Sequence, residues 1–475
     1  MLLQKITFMK ISFHGAAQMV TGSKHLLELK NGTKILLDCG MFQGNPKEAA
    51  VLNLNWGFVP AQIDYLILSH AHIDHCGLIP KLIKDGYNGK VYCTPGTFDL
   101  ARILLLDSAH IQEQDAFYVN KKRARQGEEP IKPLYTIKDA HKAFEHFEEV
   151  PYHQLKEINE NVKFQYTDVG HILGAAAVHI TITESGKQTQ ITFSGDVGRY
   201  NDELLRSPEK FPQADYLLLE STYGDSLHED VKITENKLLE TIVDTCVRKK
   251  GKLIIPSFSV GRTQEIVYTL NRLEIDNKLP DLDFFVDSPL SVEATMIIKD
   301  HMSELNKKFQ QFRAKDPEPF DFKRLQYITD LEDSKILNAR KEPCVIISAS
   351  GMADAGRVKH HIKNVISDAK NTILIVGYCE PRSLGGKLMR GNKEVTLFGD
   401  PYIVNAEVRV MRSMSAHGDY DDLCQFIACQ NPDLMKKLFL VHGEPEVQQN
   451  FKNKLIHKGF AEVEIPEMHQ EFYLS

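Results

Sequence analysis

The chain has 475 residues, of which 42% are hydrophobic and 25% are charged, and its formal net charge is −7. This length exceeds what one ordinary hydrophobic core can organise, so two or three domains are expected. The composition is typical of a soluble globular protein, and the acidic net charge excludes nucleic-acid binding by overall charge, so any such binding must use a local cleft.

The location of the protein is predicted from what the sequence lacks. No apolar run reaches the roughly 18 to 20 residues that a membrane helix needs, and residues 1–10 show no signal-peptide core. The eight cysteines are scattered and form no C-x-x-C pair, which is typical of reduced, buried residues. A cytoplasmic protein without membrane contact is therefore expected.

Short strands are predicted before residue 40. Residues 6–13 alternate in polarity, and the apolar runs 25–29 and 34–38 flank the turn Lys30-Asn31-Gly32-Thr33, which is typical of a β-hairpin. Asp38 ends the last of these strands, where its carboxylate could orient metal-bound histidines. A plain turn aspartate is the alternative interpretation.

The densest group of chemically functional residues follows an apolar strand predicted at 63–68. The segment Ser69-His70-Ala71-His72-Ile73-Asp74-His75-Cys76-Gly77 places three histidines and an aspartate within six positions. Imidazole and carboxylate are ligands of first-row metals, and His70 and His72, two apart in extended chain, project to the same side. If a helix begins after His72, Asp74 and His75 turn back toward a second point. The motif therefore predicts two adjacent metals, and a polar loop with unrelated histidines is the alternative.

Residues 98–160 predict two or three helices with a loop around 123–133, because charged and amide residues recur at helical spacing. The cluster Lys121-Lys122-Arg123-Ala124-Arg125 is typical of a solvated helix face. Phosphate binding by these cations is the alternative interpretation.

Polar residues recur where later strands are predicted to end. His171 follows the strand 162–166, Asp196 follows the strand 190–193, and Glu220 follows the strand 215–219. A single residue of this kind is more often structural, but several strand ends that meet at one edge of a sheet form a site.

The alternation of strand, loop and helix from about 225 to 400 predicts a parallel sheet with helical crossovers. Its small polar loops precede helices, whose N-terminal N–H groups can bind phosphate oxygens, although helix capping is the alternative. The candidate phosphate-binding residues in this segment are Arg262, Ser348, Ser350, Gly351 and Arg382. Because short strands and strand-end histidines return afterwards, we expect one domain formed by 1–222 and 403–475, with 223–402 inserted as a second domain.

The ligand count suits two metals. One ion would take His70, His72 and His171; the other would take Asp74, His75 and His442; Asp196 would bridge them. Zinc is the default for such a set, and manganese or iron also fits. Two metals suit the hydrolysis of phosphodiesters, esters and thioesters alike. His417 remains as a candidate general acid held by Glu220, with a structural histidine as the alternative.

The assembled motifs resemble those of the metallo-β-lactamase superfamily and, within it, the β-CASP ribonucleases, over nearly the whole chain. The superfamily motifs are matched by Asp38, His70–His75, His171 and Asp196, and the three β-CASP motifs by Glu220, His417 and His442. The resemblance implies an α/β fold, an αββα sandwich with an inserted β-CASP domain, and two zinc ions. It also implies cleavage of single-stranded RNA, internally or from the 5′ end, with Asp38, Asp74, Glu220 and His417 in the catalytic set.

The resemblance assigns further roles to two residues. The segment Ser415-Ala416-His417 resembles one that holds a phosphate in relatives, and a histidine at the position of His442 is typical of the branch that acts on RNA. A homodimer is one assembly to test.

Two other functions fit part of the sequence. A hydrolase of small esters or thioesters, of the glyoxalase II or lactonase type, would leave the inserted segment and the Glu220/His417 pair unexplained. A non-catalytic RNA-binding subunit would be expected to have lost metal ligands, and every expected ligand is present. The sequence therefore favours a metal-dependent ribonuclease.

Overall fold

The computed structural model describes residues 8–228, 231–377 and 379–475. The strands, in chain order, are β1 (Met9–Phe13), β2 (His25–Glu28), β3 (Lys34–Leu37), β4 (Tyr65–Ile67), β5 (Lys90–Cys93), β6 (Phe147–Glu149), β7 (Lys156–Asn159), β8 (Val162–Asp168), β9 (Ala176–Glu184), β10 (Lys187–Phe193), β11 (Tyr216–Glu220), β12 (Leu253–Pro256), β13 (Asp283–Asp287), β14 (Leu325–Ile328), β15 (Cys344–Ser348), β16 (Thr372–Val376), β17 (Glu394–Leu397), β18 (Asp400–Ile403), β19 (Glu407–Met411), β20 (Lys437–Val441), β21 (Val463–Glu464) and β22 (Glu471–Leu474).

The α-helices are α1 (Pro46–Leu54), α2 (Ile73–Cys76), α3 (Ile79–Lys84), α4 (Pro95–Gln126), α5 (Ile137–Phe144), α6 (Val231–Ile242), α7 (Arg262–Ile275), α8 (Pro289–Asp300), α9 (Lys307–Arg313), α10 (Leu331–Ala339), α11 (Arg357–Val365), α12 (Leu384–Met389), α13 (Tyr420–Ile427) and α14 (Pro445–His457). Val243–Arg248 continues α6 as a π-helix, and single 3₁₀ turns lie at Pro60–Gln62, Met302–Glu304, Arg412–Met414 and Pro432–Leu434.

The described residues divide into two compact units. The first contains the chain up to Tyr200, Ser207–Leu227 and His417–Ser475, and the second contains Asn201–Arg206 and His228–Ala416.

The first unit is built on two seven-stranded sheets. Their strand orders are β22-β1-β2-β3-β4-β5-β6 and β21-β20-β11-β10-β9-β8-β7. One buried apolar cluster joins them, with Phe13 and Ile67 from the first sheet and Phe164, Val178 and Phe193 from the second. The sheets therefore pack face to face with helices outside, which confirms the αββα sandwich. The predicted hairpin is also confirmed, because β2 and β3 pair antiparallel, whereas residues 6 and 7 of the first predicted strand lie outside the described residues.

The topology of the second sheet directs several strand ends to one edge. β11 pairs parallel with β10 and β20, and β8 and β10 both pair antiparallel with β9, so β8, β10, β11 and β20 all run in the same direction. β11 is buried at every position, as expected for a strand between two parallel neighbours. The segments that follow these strands carry His171, Asp196 and His442, and β11 itself ends at Glu220.

The second unit contains a six-stranded sheet in the order β14-β13-β15-β12-β16-β19. Every neighbouring pair in it is parallel, which confirms the sheet predicted from the alternation of strands and helices. β17 and β18 form a separate antiparallel hairpin. The unit extends beyond the expected boundary at residue 402, because β19 pairs with β16 and places 403–416 in this unit rather than in the first.

Two helices, α4 and α5, lie in the region 98–160 as expected, but the loop predicted at 123–133 begins only at Gly127. α4 continues without a break to Gln126, and Gly127 ends it with a left-handed φ of 70°. None of the helices in the described ranges is long and apolar enough to cross a membrane.

Candidate metal centre

The histidine-rich motif changes from strand end to helix at the expected point. β4 ends at Ile67, His70 follows, and α2 begins at Ile73 directly after His72. The short helix is fixed by main-chain bonds from other loops, because Ser23 N donates to the carbonyl of Asp74 and Cys39 N to that of His75, each at 2.8 Å. A Cβ at Gly40 would lie 1.6 Å from the carbonyl oxygen of Asp74, so only glycine permits this approach.

Three imidazoles converge in a first group of metal-binding character. Nε2 of His70 and Nε2 of His171 each lie 3.1 Å from Nδ1 of His72. Oδ2 of Asp196 lies 3.5 Å from the His70 atom and 3.6 Å from the His171 atom. Two nitrogens bound at about 2.0–2.1 Å to one tetrahedral ion would be about 3.4 Å apart, so the donor set fits a divalent ion.

A second group shares Asp196 with the first. Asp74, His75 and His442 offer ligand atoms within 4.8 Å of one another, and Nε2 of His442 lies 3.4 Å from Oδ2 of Asp74. Nε2 of His75 is 3.3 Å from Oδ2 of Asp196, and Nδ1 of His442 is 3.6 Å from Oδ1. The carboxylate of Asp196 thus faces both groups, as a bridging carboxylate would.

Two atoms of this second group are buried without a hydrogen-bond partner among the described residues. They are Nε2 of His75 and Oδ1 of Asp196. Buried polar atoms are nearly always paired, and an unpaired one costs about 1–3 kcal/mol. A bound cation would satisfy both atoms, so the observation supports the same fit.

Asp38 holds His75 from the side opposite the cluster. Its Oδ2 accepts from Nδ1 of His75 at 2.6 Å and from the Ser69 hydroxyl at 2.9 Å, and its Oδ1 accepts from the Ser69 amide at 2.8 Å. The carboxylate is fully buried and its residue has a left-handed φ of 59°. Asp38 thereby fixes the tautomer that turns Nε2 of His75 toward Asp196.

His417 lies beside the second group and is held by Glu220. Nδ1 of His417 is 3.1 Å from Oε1 of Glu220 and 3.9 Å from Oδ2 of Asp196. The Glu220 carboxylate is fully buried and also accepts from the amides of Val197 at 2.7 Å and Thr222 at 3.1 Å. Glu220 therefore orients the imidazole and directs Nε2 away from itself.

The ionisation states follow from burial and charge. Burial lowers the pKa of His70 and His171 well below the usual range and that of His72 to about 4, so these rings are neutral, the form that binds metals. Burial lowers the pKa of His417, but the charges of Glu220 and Asp196 raise it more, to about 9.

The two groups also perturb each other. Burial raises the pKa of Asp196. The surrounding imidazoles, with His442 first, have the larger effect and bring this pKa well below its usual range. Burial lowers the pKa of His75, whereas the carboxylates of Asp196 and Asp38 raise it well above its usual value, so Nε2 would have to release a proton when a cation binds. Asp196 is therefore ionised at neutral pH, as a bridging ligand must be.

The expected phosphate-binding residues belong to the second unit. Ser348 ends β15, and its hydroxyl donates to the carbonyl of Asp287 at 2.7 Å. Arg262 begins α7, is buried and pairs with Glu265, and Arg382 pairs with Glu380 at 2.9 Å. Ser350 and Gly351 follow β15, and Ser415 follows the 3₁₀ turn Arg412–Met414. Phosphate binding by these six residues stays a prediction.

Two residues that position ligands of the cluster were not predicted from the sequence. The Thr222 hydroxyl lies 3.0 Å from Nδ1 of His442, and the Ser69 hydroxyl lies 3.0 Å from Nδ1 of His70. Ser69 precedes His70, and Thr222 lies two positions after Glu220. A hydroxyl residue so close to a motif residue is the signal in the sequence that could have identified them.

Family models match three segments of the chain in order. A "metallo-beta-lactamase superfamily domain" matches 26–213, a "Beta-Casp domain" matches 263–388, and a "Zn-dependent metallo-hydrolase RNA specificity domain" matches 401–466. A crystal structure of an Enterococcus faecalis protein of unknown function covers 98% of this chain and 100% of its own at a TM-score of 0.52 and 13% identity, and shows the fold alone. Fold and cluster together define a metallo-hydrolase of the metallo-β-lactamase superfamily that binds divalent metal.

Similar proteins show which family of metallo-hydrolases the chain belongs to. A ribonuclease of Thermus thermophilus is 32% identical over 438 residues, covering 92% of this chain and 94% of the relative. An RNase J-like protein of Methanocaldococcus jannaschii is 32% identical, covering 91% and 92%. The cleavage and polyadenylation specificity factor 73 of Drosophila melanogaster is 29% identical, covering 92% of this chain and 60% of the relative. The chain belongs to the β-CASP family, and the resemblance read from its motifs is confirmed.

Proposed function

We propose that this protein is a metal-dependent ribonuclease that hydrolyses phosphodiester bonds of single-stranded RNA. The observation that carries the proposal is the convergence of two ligand groups on Asp196 beside the His417–Glu220 pair. The ribonuclease and RNase J-like relatives and the RNA specificity domain support RNA over the small-ester alternative.

Two zinc ions are the proposed metals, with manganese or iron as substitutes. His70, His72 and His171 would hold one ion, Asp74, His75 and His442 the other, and Asp196 both. Such ions acidify water and neutralise charge on phosphate oxygens. Homodimerisation and a cytoplasmic location stay predictions.

The residues of the chain supply orientation and the proton for the leaving group. Hydrolysis forms a P–O bond to the water oxygen, breaks the P–O bond to the leaving ribose oxygen, and requires one proton on that oxygen. His417, with its pKa raised to about 9, is protonated at neutral pH and is the proposed donor from Nε2, while Glu220 stabilises the imidazolium. Asp74 is the proposed acceptor of the proton that the water loses.

The test is incubation of labelled single-stranded RNA and DNA with the metal-loaded protein and with the His72→Ala/Asp74→Ala variant. We expect cleavage of RNA by the unsubstituted protein only. Intact RNA with the folded, metal-loaded protein would contradict the proposal. Comparing internal with 5′-end label separates endonuclease from 5′-to-3′ exonuclease action.

A further inference from the structure

Helix α4 has more length than its packing requires. Its 32 residues span about 48 Å. The start is anchored at the metal centre, because Thr94, its N-cap, donates from its hydroxyl to the carbonyl of Gly174 at 2.6 Å, in the loop that follows His171. Ala116 is its last buried residue, and the ten positions from 117 to 126 are exposed or half-buried. Position 117 lies about 33 Å along the axis from the start of the helix.

The outer part of α4 presents one face of aromatic and basic residues. Positions 114, 117, 118, 121, 122 and 125 follow the spacing of one helix face and are all exposed; they are Gln114, Phe117, Tyr118, Lys121, Lys122 and Arg125. We call this face the α4 stripe. Phe117 is 62% exposed and Tyr118 is 67% exposed, and their ring centroids lie 5.7 Å apart. Exposed aromatic rings next to each other mark an interaction surface rather than a core.

The segment after α4 does not cover the stripe. It folds back on a different face of the helix, where Asn120 donates to the carbonyl of Ile131 at 2.9 Å and Arg123 donates from Nε to that of Glu129 at 2.6 Å. Within the described residues, Lys121, Lys122 and Arg125 form no ion pair, whereas Arg123 pairs with Glu128 at 3.0 Å. The helix dipole explains a cation such as Arg125 in the last turn, but it explains neither the two lysines nor the rings.

We propose that the α4 stripe is a docking surface for single-stranded RNA, separate from the metal centre. Bases stack on Phe117 and Tyr118, and phosphates pair with Lys121, Lys122 and Arg125. The ligand class rests on the proposed function. The charges favour a polyanion, because Lys121, Lys122 and Arg125 lie on one exposed face and form no ion pair within the described residues. A chain that alternates flat bases with phosphates matches rings followed by cations one helical turn further on.

The test compares stripe variants with a matched control on the neighbouring helix. The stripe variants are Phe117→Ala/Tyr118→Ala and Lys121→Gln/Lys122→Gln. The control, Lys138→Gln/Lys142→Gln, removes two exposed lysines from α5 at helical spacing. Binding of labelled poly(U) is measured by fluorescence anisotropy over a range of salt concentrations, and cleavage is measured on poly(U) and on an oligonucleotide of about four nucleotides, the shortest site size of single-strand modules.

The aromatic variant is expected to weaken poly(U) binding by at least about fivefold, since stacking contributes about 1–3 kcal/mol per base. The lysine variant should lower the slope of log affinity against log salt by about 1.4, which corresponds to two lost phosphate contacts. KM for poly(U) should rise in both variants with kcat unchanged, and the short oligonucleotide and the control variant should behave as the unsubstituted protein does.

Other outcomes overturn the proposal. Unchanged affinity and salt slope in both variants would do so. Full binding by Phe117→Leu/Tyr118→Leu would show that apolar area rather than stacking matters, and a change of oligomeric state in the variants would make the stripe an interface between copies. If poly(U) binding depends on the α4 stripe but the protein cleaves no RNA, the proposed ribonuclease function is wrong and the proposed docking surface is confirmed. If RNA is cleaved and the variants bind poly(U) normally, only the proposed docking surface is wrong.

Discussion

Each unit contains a buried cluster of histidine and carboxylate, and the two clusters differ in how their polar atoms are satisfied. In the second unit, the fully buried Asp287 accepts from His361 at 2.6 Å, Arg357 at 2.7 Å and Ser334 at 2.5 Å. The other ring nitrogen of His361 lies 2.9 Å from the Asn338 side chain. Burial raises the pKa of Asp287, but these hydrogen bonds, with His361 first, lower it overall. This network is closed by its own residues.

The cluster of the first unit is not closed in this way. Ring nitrogens of His70, His72 and His171 face one another, and buried atoms of His75 and Asp196 lack hydrogen-bond partners among the described residues. Its outer residues, by contrast, are tightly held, as Asp38 and Glu220 show. A rigid outer set around unsatisfied inner atoms is typical of a binding site, whereas a closed network is typical of a structural one.

His25 shows that an unsatisfied histidine alone is not enough. Both its ring nitrogens are buried without a hydrogen-bond partner in the described part of the chain. Its ring packs edge-on against Phe13 and Phe193, and burial lowers its pKa well below the usual range. Without other donor atoms converging on it, this neutral ring belongs to the core. Convergence of several metal-binding side chains, two of which have buried atoms without a partner among the described residues, is therefore what distinguishes the candidate metal centre.

The largest effect on catalysis is expected from His72→Ala/Asp74→Ala, which removes one donor from each ligand group. RNA cleavage should fall by more than about a thousandfold, because charge stabilisation by a bound metal is worth several kcal/mol. Metal content should fall as well, as measured by plasma mass spectrometry of the dialysed protein. Normal metal content in this variant would contradict the ligand assignment.

His417→Ala is expected to lower kcat by about 10²- to 10⁴-fold, the usual contribution of a general acid, with metal content near normal. Because the pKa of His417 is raised to about 9, the imidazolium persists below that pH and is lost above it. The kcat of the unsubstituted protein should therefore fall as pH rises through about 9, and His417→Gln should lose this alkaline limb. The exposed His457 provides the control variant His457→Ala. Loss of metal in His417→Ala would make His417 a ligand instead.

Asp38→Asn should reduce metal affinity or activity by about 10- to 100-fold, because the amide keeps the shape but weakens the hold on Nδ1 of His75. Chelator competition measures the affinity, and Asp400→Asn, at an exposed position, is the matched control. An Asp38→Asn protein with unchanged metal affinity would reduce Asp38 to a turn residue.

The smallest effect on the chemistry is expected from His361→Ala, although it opens the closed network around Asp287. Removing a hydrogen-bond partner from a buried polar group costs about 1–3 kcal/mol of stability, so the midpoint of thermal unfolding should fall. Metal content should not change. Loss of bound metal in this folded variant would remove the distinction between the two clusters.

The residues of the candidate metal centre can be predicted from the sequence because their signals are local. The H-x-H-x-D-H spacing predicts a strand end followed by a helix, and the structure places α2 there. His171, Asp196, Glu220 and His442 are each visible as polar residues after apolar strands. Their common edge could be predicted because parallel strands end on the same side of a sheet.

Other features depend on tertiary pairing that the sequence does not display. The sequence of β19 resembles those of the short strands of the first unit. The strand nevertheless pairs with β16, so the second unit ends at Ala416. α4 passes through the basic cluster at 121–125 because nothing there breaks a helix before Gly127. The closed network of Asp287 joins side chains from β13, α10 and α11, and no local spacing reveals it.

The candidate metal centre is proposed to hold two divalent ions that are needed for RNA hydrolysis. The most direct measurement is titration of metal-free protein with zinc while cleavage of labelled single-stranded RNA and bound metal are followed together. We expect no cleavage without metal, and we expect activity to saturate at two ions per chain. Full cleavage by the metal-free protein, or saturation of binding without any cleavage, would contradict it.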